Sequence, residues 1–221
     1  MNETKPTVLY HRADAAKTRS DILRVAVDIA SAEGLEGISI GRLASEMSMS
    51  KTGIFAHFGS KEQLQLATLD TAKQIFVEQV VQSALQKPRG VPRLMTMLEN
   101  WLGYVERIVF RGGCFFAAAS AEFDSRPGVV RDQIAELTRS WLAALQEEIA
   151  VAVLSKELTR SIEPAQLAFE LHAYVQEANW AFKLFNDESA FARARRAIHS
   201  RLASAGLKRP PKKGQGKDVR S

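Results

Sequence analysis

The sequence predicts an all-α protein of about nine helices. Three observations predict it. Apolar residues recur at every third or fourth position along most of the chain, and no stretch alternates convincingly at period two. Gly, Pro and Ser fall at intervals that start and stop helices of ordinary length. The 221 residues suit one extended domain or two modest ones, and a composition of 46% hydrophobic and 25% charged residues is that of a globular chain.

Taken in order, residues 1–16 are polar, contain Pro6 and read as a flexible arm. From Lys17 the pattern is helical, with Ile22, Val25, Ala26, Ile29 and Ala30 on one face, and Gly34 supplies the C-terminal stop. Ser39 is a suitable N-cap for a short second helix carrying Ile40, Leu43, Ala44 and Met47 inward. After a turn at Ser48-Met49, Ser50 can cap a third helix running to about Phe58, with Ile54 and Phe58 turned to the core. Gly59-Ser60 breaks it, and Ser60 with Gln63 forms a capping box for a long fourth helix carrying Leu66, Leu69, Phe76 and Val80.

Past the loop Lys87-Pro88-Arg89-Gly90, a helix over residues 91–109 carries Leu94, Leu98, Trp101, Val105 and Ile108. Arg111-Gly112-Gly113 breaks it before a short apolar helix from Cys114 to Phe123. Pro127 suits the first turn of a long helix carrying Ile134, Leu137, Trp141, Leu145 and Ile149. Two more helices are expected from about Pro164 to Phe185 and from Glu188 to Ala205. Residues 207–221 are basic, rich in Pro and Gly, and expected to be disordered.

No apolar run approaches the ~20 residues of a membrane helix, and the first residues lack an export-signal pattern, so a cytoplasmic location and no membrane partner are expected. The single cysteine, Cys114, excludes an internal disulfide and a cysteine-cluster zinc site. The histidines His11, His57, His172 and His199 are scattered, and no glycine-rich phosphate loop or nucleophile–base spacing occurs. No metal site, cofactor or catalytic residue is therefore expected, and the chain does not read as an enzyme. The net charge of +5 comes largely from the tail: residues 207–221 hold six of the 30 basic residues and one of the 25 acidic ones, leaving 24 of each sign elsewhere. Any affinity for nucleic acid must come from placed groups and not from a global field.

Three short helices within residues 17–62, the second and third joined by a tight turn, describe a helix-turn-helix (homeodomain-like) domain whose third helix enters the major groove of DNA. Lys51 and Thr52 open that helix, where side chains reach base edges or phosphates, and Gly53 allows close approach of the backbone. Arg42 and Lys61 flank the reader, and the N–H groups at the start of the fourth helix could hold a phosphate. Lys17 and Arg19 could follow the backbone or enter a neighbouring minor groove. His57 has two readings, a phosphate contact or a favourable charge at a helix C-terminus. Phe55 and Phe58 read as core.

The run Ser50-Lys51-Thr52-Gly53-Ile54-Phe55-Ala56-His57-Phe58-Gly59-Ser60-Lys61-Glu62-Gln63-Leu64, preceded by Leu43-Ala44 and by Gly34, resembles the DNA-binding domain of the TetR family of bacterial regulators. The resemblance is specific over residues 17–69. Together with the flanking cations, it gives a candidate DNA-contacting set of Lys17, Arg19, Arg42, Ser50, Lys51, Thr52, Gly53, His57 and Lys61. Two positions depart from the family pattern: Phe55 stands where a tyrosine often bonds a phosphate, and Ser48 where the turn commonly has glycine.

The resemblance further implies that residues 63–206 form a ligand-binding and dimerisation domain. Its last two helices are expected to build a four-helix interface in a homodimer. Leu171, Tyr174, Val175, Ala178, Phe182, Phe185, Phe191, Ile198 and Leu202 offer more apolar surface than one helix pair buries. His172, Gln176, Asn179 and Lys183 form a polar stripe that reads first as a solvated or interface-rim face, second as a pocket wall. Candidate ligand residues are Trp101, Tyr104, Phe116, Glu122 and His172, with Phe115 and Trp141 as further walls; plain core is the competing reading. The implied function is that of a repressor released by a small-molecule ligand from a palindromic double-stranded DNA operator. Ligand-independent or activating regulation, and a redox response through Cys114, are the alternatives.

Overall fold

The computed structural model describes residues 7–206, with side chains described from Ala16 onward. Among these residues it is all-α, without a strand. Residues 207–221, the basic tail, lie outside the described residues, as do residues 1–6 of the expected arm.

Helix α1 spans Thr7–Glu33, ten residues more than the sequence pattern predicts. The expected arm is corrected over residues 7–16: no glycine or proline interrupts the chain between Pro6 and Gly34, so helix propagates ahead of the first amphipathic turn. Gly34, at φ +87°, ends α1, a conformation that L side chains rarely adopt. The inward face of α1 buries Ile22, Leu23, Ala26, Val27, Ile29 and Ala30. Helices α2 (Ile40–Glu46) and α3 (Lys51–Phe58) complete the N-terminal unit, and α4 (Lys61–Phe76) leads into the larger body.

Helix α4 does not end cleanly. It continues through a π-helical turn, Val77–Val81, and then a 3₁₀ turn, Ala84–Gln86. Five more helices follow: α5 (Val91–Glu106), α6 (Phe115–Phe123), α7 (Val129–Leu154), α8 (Pro164–Phe185) and α9 (Ser189–Ser204). Pro127 lies outside α7, not in its first turn, because Gly128 (φ +143°) is the N-cap and turns the chain into the helix. The predicted bounds of α8 are met, and there Glu163 caps the helix by accepting from Ala165 N and Gln166 N.

Helix α1 packs on α4 and α6, and α8 packs on α7 and α9. One contiguous core joins the two parts of the chain. The residues expected to supply surplus apolar surface are largely consumed inside it: Leu171, Val175, Ala178, Phe191, Ile198 and Leu202 are buried. The apolar surface left over on α8 is the expected Phe185 together with Phe169, Trp180 and Leu184, each 51–66% exposed. Phe169, Trp180 and Leu184 are spaced eleven and four residues apart, so they follow one stripe of the helix.

Candidate nucleic-acid interface and ligand cavity

The N-terminal reader is built by three serine caps. Ser39 Oγ accepts from Arg42 N at 3.1 Å, Ser50 Oγ from Gly53 N at 3.0 Å, and Ser60 Oγ from Gln63 N at 3.1 Å. Each satisfies a donor that a helix N-terminus otherwise leaves unpaired. Between α2 and α3, Ser48 takes φ +54°, the left-handed conformation in which glycine would be relaxed. Met49 N donates back to Ala44 O at 2.9 Å and closes the turn. At Gly53 a Cβ would stand 3.1 Å from Ser50 Oγ, so the glycine also keeps the cap of α3 uncrowded.

Helix α3 buries Ile54 and Phe58 and leaves Lys51, Thr52, Phe55 and Ala56 exposed. Phe55 is 52% exposed, which corrects its assignment to the core. A core reading rests on residue type; the helical phase puts Ile54 and Phe58 inside and Phe55 on the opposite flank. Arg19 lies over the Phe58 ring, 5.1 Å from its centroid, and the half-buried His57 sits in the last turn beside the same ring.

The flanking cations are placed differently from one another. Arg42 is held by Glu33 at 3.0 Å and Glu46 at 2.5 Å, and these hydrogen bonds push its already high pKa further up. Lys61 Nζ pairs with Glu36 at 2.5 Å. The hydrogen bond from Lys61, with another from Gln65, holds the Glu36 carboxyl below its ordinary value. Lys17, Arg19 and Lys51 are exposed and enter no ion pair among the described residues. A phosphate at Arg42 or Lys61 would have to share the cation with a carboxylate already in place; at the other three it would displace no carboxylate among the described residues.

In the body, a cavity of about 240 Å³ opens between α4 with its π turn and helices α5 to α8. Phe76, Trp101, Phe116, Trp141, His172 and Gln176 form much of its wall. Trp101, Phe116 and His172 were read from the sequence as ligand residues and are brought together here. Tyr104 is buried behind Phe76, their ring centroids 5.7 Å apart, and is not among the lining residues. The rings stand edge to face, Phe76 against Trp141 at 5.0 Å and Trp101 against Trp141 at 5.4 Å. Burial pushes the His172 imidazole below its ordinary pKa and so favours its neutral form. The Trp141 Nε1 and Gln176 Oε1 atoms are buried without a hydrogen-bond partner, and the Trp101 indole has only the Cys114 thiol to donate to.

Two expectations fail in this region. Glu122 is not a pocket anchor: its carboxylate accepts from Leu35 N at 2.6 Å and from Glu36 N at 3.1 Å, just past the end of α1. The polar stripe of α8 is a solvated face only at its end, where Lys183 is exposed. His172 and Gln176 face the cavity, Asn179 Oδ1 accepts from Cys114 N at 2.9 Å, and Lys183 Nζ donates to Arg111 O at 2.6 Å. Cys114 is itself buried, and burial pushes its thiol pKa up, so the reactive thiolate that a redox response requires is disfavoured.

These contacts make residues 111–123 a bridge. On one side, Arg111 Nε meets Asp28 of α1 at 2.5 Å, and Gly112 N donates to Ser31 Oγ at 3.1 Å. The approach at Gly112 is so close that a Cβ there would fall 1.6 Å from Ser31 O. On the other side, Cys114, Phe116 and Ser120 face the cavity. Sequence reasoning missed Phe76, Val77, Val81 and Ser120 as wall residues, and it gave Gln176 a pocket wall only as the second reading of its stripe. The one available signal was His172 and Gln176, polar and four apart on a largely apolar helix.

The chain matches two family models. Residues 22–68 match the model described as bacterial regulatory proteins, tetR family, and residues 90–198 that of the tetracyclin repressor-like C-terminal domain. Among solved structures it is similar to a TetR transcriptional regulator from Chloroflexus aurantiacus, with a TM-score of 0.77, 21% identity, and coverage of 87% of this chain and 95% of that one. It is similar to a protein from Saccharomonospora viridis in complex with choline (TM-score 0.72, 18% identity, 85% and 96% covered). It is also similar to AibR in complex with isovaleryl coenzyme A and operator DNA (TM-score 0.66, 22% identity, 84% and 97% covered). At these identities the likeness to solved structures is one of fold. No curated protein matches the chain.

Proposed function

Because the chain belongs to the TetR family of bacterial DNA-binding transcription regulators, we propose that it is a homodimeric repressor released from a palindromic operator by a small-molecule ligand. The observation that carries ligand control is the double attachment of residues 111–123. Arg111, Gly112 and Glu122 grip α1 and the loop after it, while Cys114, Phe116 and Ser120 face the cavity. A molecule that fills the cavity and shifts α6 therefore changes how α1, and the reader built on it, is held.

The cavity supports a ligand of restricted kind. Its walls are mainly aromatic and aliphatic, and His172 tends to the neutral form. Two of the similar proteins are in complex with small molecules, choline and isovaleryl coenzyme A, which supports a ligand here without naming it. The exposed Phe169, Trp180, Leu184 and Phe185 on α8 supply the dimer surface, since apolar side chains of this size gain most by being covered. Dimerisation would present two α3 helices to successive major grooves, ~34–36 Å apart. Lys51 and Thr52 would reach base edges, and Lys17, Arg19, His57 and Lys61 the phosphate backbone.

The test is a linkage measurement. A ligand is first found by its stabilisation of the full-length protein, and operator affinity is then measured with and without it. Ligand release predicts operator affinity about 5- to 150-fold weaker at saturation, with the operator weakening ligand binding by the same factor. A ligand that saturates the cavity and leaves operator affinity unchanged overturns ligand control and leaves ligand-independent regulation. One that strengthens operator binding reverses the sign and makes the ligand a co-regulator.

A further inference from the structure

We infer that α3 reads thymine through its methyl group: Thr52, Phe55 and Ala56 form an apolar strip that packs on the C5-methyls of adjacent thymines in each half-site. The inference rests on the assignment of α3 as the DNA reader.

The strip follows from the phase of the helix. Ile54 and Phe58 are buried and fix the inward side, and Thr52, Phe55 and Ala56 stand on the outward one. Phe55 leaves 52% of its surface in water. A phenylalanine so placed has no hydroxyl or amide with which to bond a phosphate, so its contribution to an interface comes from covering apolar surface. In the major groove of DNA the one apolar group that a base offers is the thymine methyl, and Ala, the Thr methyl and Phe are the side chains that match it.

The chemistry missing from α3 points the same way. Among residues 51–58 there is no Asn or Gln for adenine, no Arg for guanine, and no Asp or Glu for cytosine. Lys51 can serve a guanine, and the Thr52 hydroxyl pairs with any base. The discriminating power left to the helix is therefore mainly apolar. From Thr52 to Ala56 the helix rises about 6 Å, and bases follow one another every ~3.4 Å along a strand. The strip thus spans two steps and meets two or three consecutive thymines.

The experiment uses the full-length protein and a library of DNA duplexes randomised over more than two helical turns. Each thymine of the selected duplex is then replaced by deoxyuridine, which removes the methyl and keeps every hydrogen-bonding group. The selected half-sites should share two or three consecutive T·A pairs, and deoxyuridine there should weaken binding about fourfold per methyl. In Phe55→Ala the penalty should vanish at one of these positions and persist at the others, since the two changes remove the same contact. Because Phe55 is outside the core, the variant should melt with the wild type, which separates lost recognition from lost folding. Selected sites that bind equally well with deoxyuridine at every thymine overturn the inference and leave the reader assignment standing. A library that yields no preferred sequence overturns both. If Phe55→Ala binds the selected DNA and its deoxyuridine forms as the wild type does but loses self-association, the strip meets protein instead, and the inference fails.

Discussion

The outward face of α3 and the cavity wall are opposites in the same physical sense. On α3 an apolar ring, Phe55, is left half in water. In the cavity wall, polar atoms of Trp141 and Gln176 are shut away from water without partners. Either arrangement costs free energy that the folded monomer does not recover by itself. The surrounding helices are otherwise resolved in the ordinary way, with serine caps, ion pairs at Arg42 and Lys61 and a contiguous apolar core. A protein departs from local consistency where it binds something, and the sign of the departure says what kind of thing. Exposed carbon calls for carbon, and an orphaned indole N–H calls for an acceptor.

Three substitutions would break or sharpen that contrast. The largest effect is expected from Lys51→Ala combined with Thr52→Ala, which strips α3 of its two polar readers. Operator affinity should fall at least about a hundredfold, at ~1–3 kcal/mol per lost base contact, with the dimer unchanged in sedimentation. Unaltered affinity would remove α3 from the interface. Next is Gly112→Ala, which forces a Cβ to within 1.6 Å of Ser31 O, where the bridge touches α1. A loss of about 3 kcal/mol in urea denaturation is expected, and a variant as stable as the wild type would show that the bridge yields freely. The smallest effect is expected from His172→Asn. Burial makes the folded imidazole harder to protonate than the unfolded one, so below pH 6.5 the unfolded chain binds the extra proton. The wild type should therefore hold its stability above pH 6.5 and lose it as the pH falls, and the variant should lose less. Parallel melting curves from pH 7.5 to 5 would remove His172 as the source.

What could be read from the sequence was local. The caps at Ser39, Ser50 and Ser60 lie three residues from the donors they satisfy, and all three are in place. The bounds expected for α8, about Pro164 to Phe185, are those observed, with Pro164 in the first turn. What escaped was set by distant neighbours. Glu122 finds its partners 87 and 86 residues away, and the Lys61–Glu36 pair spans 25. Periodicity placed His172, Gln176, Asn179 and Lys183 on one face correctly, but periodicity does not say which element covers that face. The N-terminal extension of α1 escaped for the opposite reason: a helix needs an amphipathic face to be recognised in a sequence, and none to continue.

The pairing of Arg42 with Glu33 and Glu46, and of Lys61 with Glu36, also bears on how many copies of the protein a cell must hold. A chromosome offers ~10⁶–10⁹ positions of random sequence, and a regulator that clings to them is withdrawn from its targets by sheer number. Cations already engaged with carboxylates give up less to an arbitrary phosphate, so Arg42 and Lys61 add less to the protein's hold on bulk DNA than free cations in their places would. Fewer molecules then suffice to keep a site occupied.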